Sequence, residues 1–205
     1  IRSIDSLYKD LMKDKSYLGK DGGVTLSGGE ITMQSADSLL LAKKLHENNI
    51  RVAIDTCGFC KWETLKKLVD YTDIFLYDLK IFDPKKHLEF TGQDNLVIFE
   101  NFELLAKECK EKKKTLWVRT PIIPGATDSD ENISSLAKII ADKADLWELC
   151  AFNNLCKDKY DRLKKDWDYC SSPLMEAARM KELVKIAIDN GGKNVIWSGM
   201  TKREE

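Results

Sequence analysis

The chain has 205 residues, 33 Lys and Arg against 34 Asp and Glu, a formal net charge of −1 and 43% hydrophobic residues. This balance excludes a disordered chain, a collagen and a disulfide-dense miniprotein. The near-neutral charge argues against a general nucleic-acid binder, which needs a basic face, and no run of 18 apolar residues is present to form a membrane span.

In chain order, residues 3–14 read as an amphipathic helix on Ile4, Leu7, Tyr8 and Leu11, and 23–27 as a short strand. A helix over 35–48 carries Leu39, Leu40, Ala42 and Leu45, and a strand follows at 51–55. A helix over 61–70 on Trp62, Leu65, Leu68 and Val69 leads to a strand at 73–79, apolar on both faces. A long helix over 95–113 on Leu96, Phe99, Phe102 and Leu105 leads to a strand at 115–119. A helix over 130–142, a strand at 145–151, a helix over 173–190 and a strand at 194–197 complete the pattern. Ser172 is placed to cap the last helix, Pro173 to sit in its first turn, and Asn190-Gly191-Gly192 to end it. Apolar strands alternating with helices, without a hairpin signal, mean a parallel sheet covered by helices. The pattern predicts one α/β domain over 1–205, either doubly wound or a barrel.

Six cysteines with no secretion pattern suit reduced thiols and a cytoplasmic chain. Cys57 and Cys60 form a C-x-x-C. Neither histidine, His46 or His87, is spaced to complete a tetrahedral metal site with them, so the pair reads as structural or incidental, ahead of redox or metal chemistry. The Lys-rich run at 107–114 and the bases at 157, 159, 162, 164 and 165 read as solvated helix surfaces, with partner docking as the alternative.

Parallel α/β sheets bind ligands at the carboxyl ends of their strands. Five successive strands end there in polar groups: Ser27-Gly28-Gly29-Glu30, Asp55-Thr56, Asp78 with Lys80, Arg119-Thr120-Pro121, and Asn153-Asn154. Bare glycines let a ligand approach the backbone closely. The glycine patterns of phosphate-binding loops are absent. Acids (Glu30, Asp55, Asp78) mixed with bases (Lys80, Arg119) suit a zwitterion better than a polyphosphate.

The ordered set S-G-G-E at 27–30, D-T-C-G at 55–58, Y-D-L-K at 77–80, H-L-E-F-T-G-Q-D-N at 87–95 and R-T-P-I-I-P-G at 119–125 resembles the glycyl radical enzyme activating enzymes. These are relatives of pyruvate formate-lyase activase in the radical S-adenosylmethionine superfamily. The resemblance runs over nearly the whole chain. It implies a partial (β/α)6 barrel, here missing its first strand, and two cofactors, S-adenosylmethionine and a [4Fe–4S] cluster. Their reaction yields a 5′-deoxyadenosyl radical that takes a hydrogen atom from a glycine of a partner glycyl radical enzyme. By the same resemblance, Gly28, Gly29 and Glu30 bind the methionine amino group through the backbone, and Asp78 and Lys80 contact methionine and ribose. Asp55 and Thr56, with the Leu76 carbonyl, match a monovalent-cation site. Arg119 lies at the methionine end, and Asn153 replaces a ligand-contacting histidine. A small electron donor such as flavodoxin or ferredoxin, a monomeric state and anaerobic metabolism are implied too. Ile31 and Cys57 depart mildly from the family pattern. The cluster motif C-x-x-x-C-x-x-C is absent, so the iron–sulfur ligands are expected upstream of Ile1, and the chain alone is expected to be inactive. Two readings compete. One is a Schiff-base or proton-transfer barrel enzyme using Lys80, disfavoured because Asp78 beside it favours the charged lysine. The other is a non-catalytic binding domain.

Overall fold

The computed structural model describes residues 2–18, 22–155, 160, 162–164, 166 and 169–202. Its strands are β1 (Gly23–Leu26), β2 (Arg51–Thr56), β3 (Ile74–Asp78), β4 (Thr115–Ile122), β5 (Leu146–Ala151) and β6 (Val195–Ser198). Its helices are α1 (Ile4–Leu11), α2 (Lys15–Leu18), α3 (Ser35–Glu47), α4 (Trp62–Val69), α5 (Pro84–Thr91), α6 (Leu96–Lys112), α7 (Asp130–Ile140) and α8 (Ala177–Asp189). Short 3-10 turns cover Met12–Asp14 and Ile31–Gln34. The six parallel strands are ordered β1-β2-β3-β4-β5-β6. Each strand thus neighbours the next in sequence. The strand order never reverses, as it does in a doubly wound sheet, and this is the winding of a partial (β/α) barrel.

The chain divides into two compact units, Ile1–Asp78 with Leu96–Trp117, and Leu79–Asn95 with Val118–Glu205. In the first, β1, β2 and β3 pair in parallel, with Leu26 opposite Ile54 and Asp55 opposite Leu76. Strand burial alternates with period two. Val52, Ile54, Phe75 and Tyr77 are buried on one face, with Leu45, Leu65, Leu68, Phe102 and Leu105 of the helices also in the core. Ala53, Asp55, Leu76 and Asp78 occupy the other, half-buried face. Thus β3 is less symmetric than its apolar sequence implies.

In the second unit, β5 and β6 pair in parallel, with Trp147 opposite Val195. Trp147, Leu149, Ile133, Leu136, Met180 and Leu183 are fully buried. Thr120 is buried among them. Its hydroxyl donates to the Leu79 carbonyl at 2.7 Å and accepts from the Trp147 indole N–H at 3.0 Å. Arg119 and Thr120 therefore lie inside β4, which continues to Ile122, and not at its end.

Three local expectations change. Helix α5 carries a start signal the periodic reading missed: Asp83 accepts from the N–H groups of Lys85 and Lys86 at 2.9 and 2.8 Å, Pro84 opens the helix and left-handed Gly92 ends it. Helix α8 begins after Glu176, not at Pro173. The preceding segment buries Met175 and gives its carbonyl to the Lys202 N–H, which holds it out of the helix. On α6 the buried stripe is Ile98, Asn101, Phe102, Leu105 and Cys109, while Leu96 is exposed. Leu40 on α3 is exposed as well.

Thr120→Val removes one hydroxyl and strands a buried carbonyl and a buried indole N–H. It is expected to lower the unfolding free energy by about 2 kcal/mol or more, read as a reduced urea midpoint with an unchanged slope.

Candidate functional site

The Ser27–Glu30 loop leaves β1 with Gly28 at φ 96° and Gly29 at φ 63°, a backbone region that side-chain-bearing residues rarely adopt. Both glycines are exposed, and a Cβ built on either would meet no atom within 4 Å. Conformation, not crowding, is what requires glycine here, and the space above the loop is open. A cleft of about 420 Å³ runs to Ser27 and Gly28 from α1, lined also by Leu7, Thr25, Asp37 and Leu41.

The loop is fixed by Glu30. Its Oε1 accepts from the Thr32 N–H at 3.1 Å, the Thr32 hydroxyl at 2.8 Å and the Thr56 hydroxyl at 2.7 Å. Its Oε2 accepts from the Cys57 N–H at 2.9 Å. A carboxylate counted among the ligand-facing acids is thus turned into the protein, where it joins the start of the 3-10 turn to the end of β2. Ser27 makes a second link, its hydroxyl donating to Asp55 Oδ2 at 2.8 Å. The Thr56 hydroxyl also accepts from the Gly58 N–H at 3.0 Å, so it is engaged on both sides, and Thr56 is only 2% exposed. Asp78 and Leu76 are half-buried on the same face as Asp55. The structure therefore brings Gly28, Gly29, Glu30, Asp55 and Thr56 together in the first unit, with Asp78 on β3 of that unit.

Lys80, Arg119 and Asn153 belong to the second unit. The main chain after β3 is clamped by two asparagines. Asn132 on α7 accepts from the Phe82 N–H at 2.8 Å and donates to the Lys80 carbonyl at 3.0 Å. Asn95 donates to the carbonyls of Ile81 and Phe82, each at 2.8 Å. The 87–95 motif is a structural device. Buried His87 meets the Gln93 carbonyl through Nδ1 at 2.8 Å, and Thr91 donates to the His87 carbonyl at 2.7 Å. Asn153 accepts from the Leu155 N–H at 3.1 Å, closing a turn of its own. Of the basic run, Arg162 and Lys164 are exposed, and Lys157, Lys159 and Lys165 lie outside the described residues.

The C-x-x-C sits around Glu30. Burial and the Glu30 charge push the Cys60 thiol upward against the Thr32 hydroxyl and the Leu65 N–H. The reactive thiolate is correspondingly scarce. Beneath the turn, burial first and then both thiols and Glu30 push the Tyr77 phenol well above its usual range. Its hydroxyl donates to the Ile98 carbonyl at 2.7 Å. Among the described residues no three His, Cys, Asp or Glu side chains gather as a metal ion would require. The three thiolates of an iron–sulfur cluster are therefore not found among them.

The sequence model of the radical SAM superfamily matches residues 1–137. The chain belongs to this superfamily. It is 35% identical over 172 residues to a trans-4-hydroxy-L-proline dehydratase activating enzyme of Clostridioides difficile, covering 81% of this chain and 55% of that one. It is 33% identical over 190 residues to a 4-hydroxyphenylacetate decarboxylase activating enzyme of Clostridium scatologenes, covering 92% of this chain and 60% of that one. The chain thus spans between 55% and 60% of the length of these relatives. A solved domain of a pyruvate-formate lyase-activating enzyme from Bacteroides vulgatus superposes with a TM-score of 0.69 at 23% identity, covering 86% of this chain and 99% of that one, a likeness of fold.

Within this radical SAM chain the residue that sequence reasoning missed is Asn101 of α6. It is buried and donates to the carbonyls of Gly58 and Cys60, each at 2.8 Å. The signal was an asparagine on the apolar side of an amphipathic helix, a position that demands partners.

Burial works to raise the Glu30 pKa, but donors from Cys57, Thr56 and Thr32 outweigh it and hold the carboxyl below the usual glutamate range. A pKa depressed by folding adds stability above the unfolded value of about 4.3, and that stability is lost as the pH falls through the folded value. Glu30→Gln is therefore expected to flatten the acid limb of the stability curve below about pH 5. Urea midpoints across that range check it, and a slope equal to wild type would refute it.

Proposed function

We propose that the chain supplies the S-adenosylmethionine-binding part of a glycyl radical enzyme activating enzyme. The observation that carries this reading is the exposed, side-chain-free Gly28–Gly29 loop, braced by Glu30 and opening into unfilled space, in a chain of the radical SAM superfamily. The activating-enzyme names of the relatives support the same class. In this reading the Gly28–Glu30 backbone holds the methionine amino group, and Asp78 and Lys80 contact the methionine and ribose. Arg119 serves the methionine end, and Asn153 contacts the ligand from the segment after β5. Asp55 and the Leu76 carbonyl hold a monovalent cation beside it, while the Thr56 hydroxyl stays committed to Glu30 and the Gly58 N–H. The fit is chemical: bare peptide groups, carboxylates and bases suit an α-amino acid that also carries a sulfonium.

When bound, S-adenosylmethionine and a [4Fe–4S] cluster together supply one-electron cleavage to methionine and a 5′-deoxyadenosyl radical, which takes a hydrogen atom from a glycine. The described residues offer no cluster ligands, so the proposed role of this chain is to bind and orient S-adenosylmethionine and to keep water from the reacting atoms. The partner is a glycyl radical enzyme, and the electron comes from a small carrier such as flavodoxin or ferredoxin. The protein acts as a monomer in the cytoplasm of an anaerobically growing cell. Among the described residues no helix is long and apolar enough to cross a membrane.

The test is reductive cleavage of S-adenosylmethionine by the full-length protein with its cluster reconstituted. Dithionite-dependent 5′-deoxyadenosine is expected, together with a glycyl radical signal when the cognate partner is added. Asp78→Ala with Lys80→Ala is expected to weaken binding by about tenfold or more, the loss of two charge-assisted contacts. Absence of 5′-deoxyadenosine from the wild-type holoprotein overturns the reading.

A further inference from the structure

Asn101 spends its side-chain nitrogen on two carbonyls of a single turn, Gly58 and Cys60, each at 2.8 Å. A primary amide has two N–H donors, and neither aspartate nor an apolar side chain of that size can supply both. The same turn is held from its other side by groups of the ligand loop. The Cys57 N–H donates to Glu30 at 2.9 Å, and the Gly58 N–H donates to Thr56, whose hydroxyl donates to Glu30 at 2.7 Å. The Thr56–Cys60 turn therefore has the carbonyls of Gly58 and Cys60 fixed by α6 and the amides of Cys57 and Gly58 fixed toward Glu30. Any drift of that turn withdraws two of the donors that hold the Glu30 carboxylate, and Glu30 directly follows Gly29.

We infer that Asn101 is a positioning residue for the Gly28–Gly29 loop, acting through the Thr56–Cys60 turn and the Glu30 carboxylate. The inference rests on the proposed reading of that loop as the S-adenosylmethionine site. It assigns a role in ligand binding to a residue on the helix behind the sheet, which touches no ligand itself.

The test compares Asn101→Leu, which keeps size and removes both donors, with Thr72→Ala. Thr72 is buried in the same unit, and its hydroxyl donates to the Leu68 carbonyl at 2.8 Å at the opposite end of β3. The two variants are compared at equal loss of melting temperature. Hydrogen exchange of residues 27–32 is expected to be at least about tenfold faster in Asn101→Leu than in Thr72→Ala. In the full-length holoprotein the S-adenosylmethionine Kd is expected to rise about tenfold for Asn101→Leu, with kcat at saturation changed less than about threefold. Asn101→Ser retains one donor and should fall between wild type and Asn101→Leu, and it carries the comparison where the leucine variant does not fold. Equal exchange of 27–32 in the two backgrounds, or faster exchange confined to 56–60, overturns the inference. Faster exchange of 27–32 in Asn101→Leu, together with a wild-type holoprotein that binds no S-adenosylmethionine, sustains the positioning role and overturns the proposed function instead.

Discussion

The first unit depends on how one half-buried carboxylate is satisfied. A charge withdrawn from water must be met by donors, or it costs more than folding can supply. Glu30 meets this demand with hydroxyls and N–H groups of Thr32, Thr56 and Cys57. These groups lie in two segments far apart in sequence, and only the parallel pairing of β1 with β2 brings them to one place. Loop shape and sheet pairing are therefore mutually dependent. The left-handed glycines can persist without a side chain to anchor them because the residue that follows is anchored so well.

A second device recurs where chain leaves a strand. Asparagine amides from Asn101, Asn95 and Asn132 hold the main chain after β2 and after β3, where no sheet partner is available to the freed carbonyls. Each such bond contributes only about 1 kcal/mol net, whereas leaving the same buried groups unmet costs more. Their value lies in specifying one loop geometry, and that is what a binding site made of backbone needs.

Much of the architecture was legible from periodicity. Five of the six strands fall within about one residue of their expected bounds, β4 runs on from its expected end at 119 to Ile122, and the apolar stripe of α4 on Leu65, Leu68 and Val69 is buried as read. Burial misled where amphipathicity was judged from apolar residues alone: Leu96 and Leu40 face outward, and Asn101 faces inward. Helix α5 was missed because its sequence is largely polar, although Asp83-Pro84 and Gly92 marked both ends. The polar strand ends were legible as a set. The use to which each is put was not, because the Glu30 carboxylate and the Thr56 hydroxyl look like ligand-facing groups until their partners from other segments are known. Thr120 shows the same limit. It follows Arg119 in what reads as a strand end, yet its hydroxyl belongs to the core through Leu79 and Trp147.

Gly58 and Tyr77 show how a site can constrain sequence beyond its own contacts. Gly58 has φ 70°, and any Cβ there would run into the Tyr77 hydroxyl. The phenol fills the volume a side chain at position 58 would claim, and its hydroxyl is committed to Ile98. Position 58 therefore cannot take a side chain while Tyr77 stays in place. A larger residue at 58 requires a smaller ring-free residue at 77, and that exchange would release α6 from β3. In a lineage of such chains a side chain at 58 would be expected only where 77 has already become smaller, so drift in the turn waits on drift in the core.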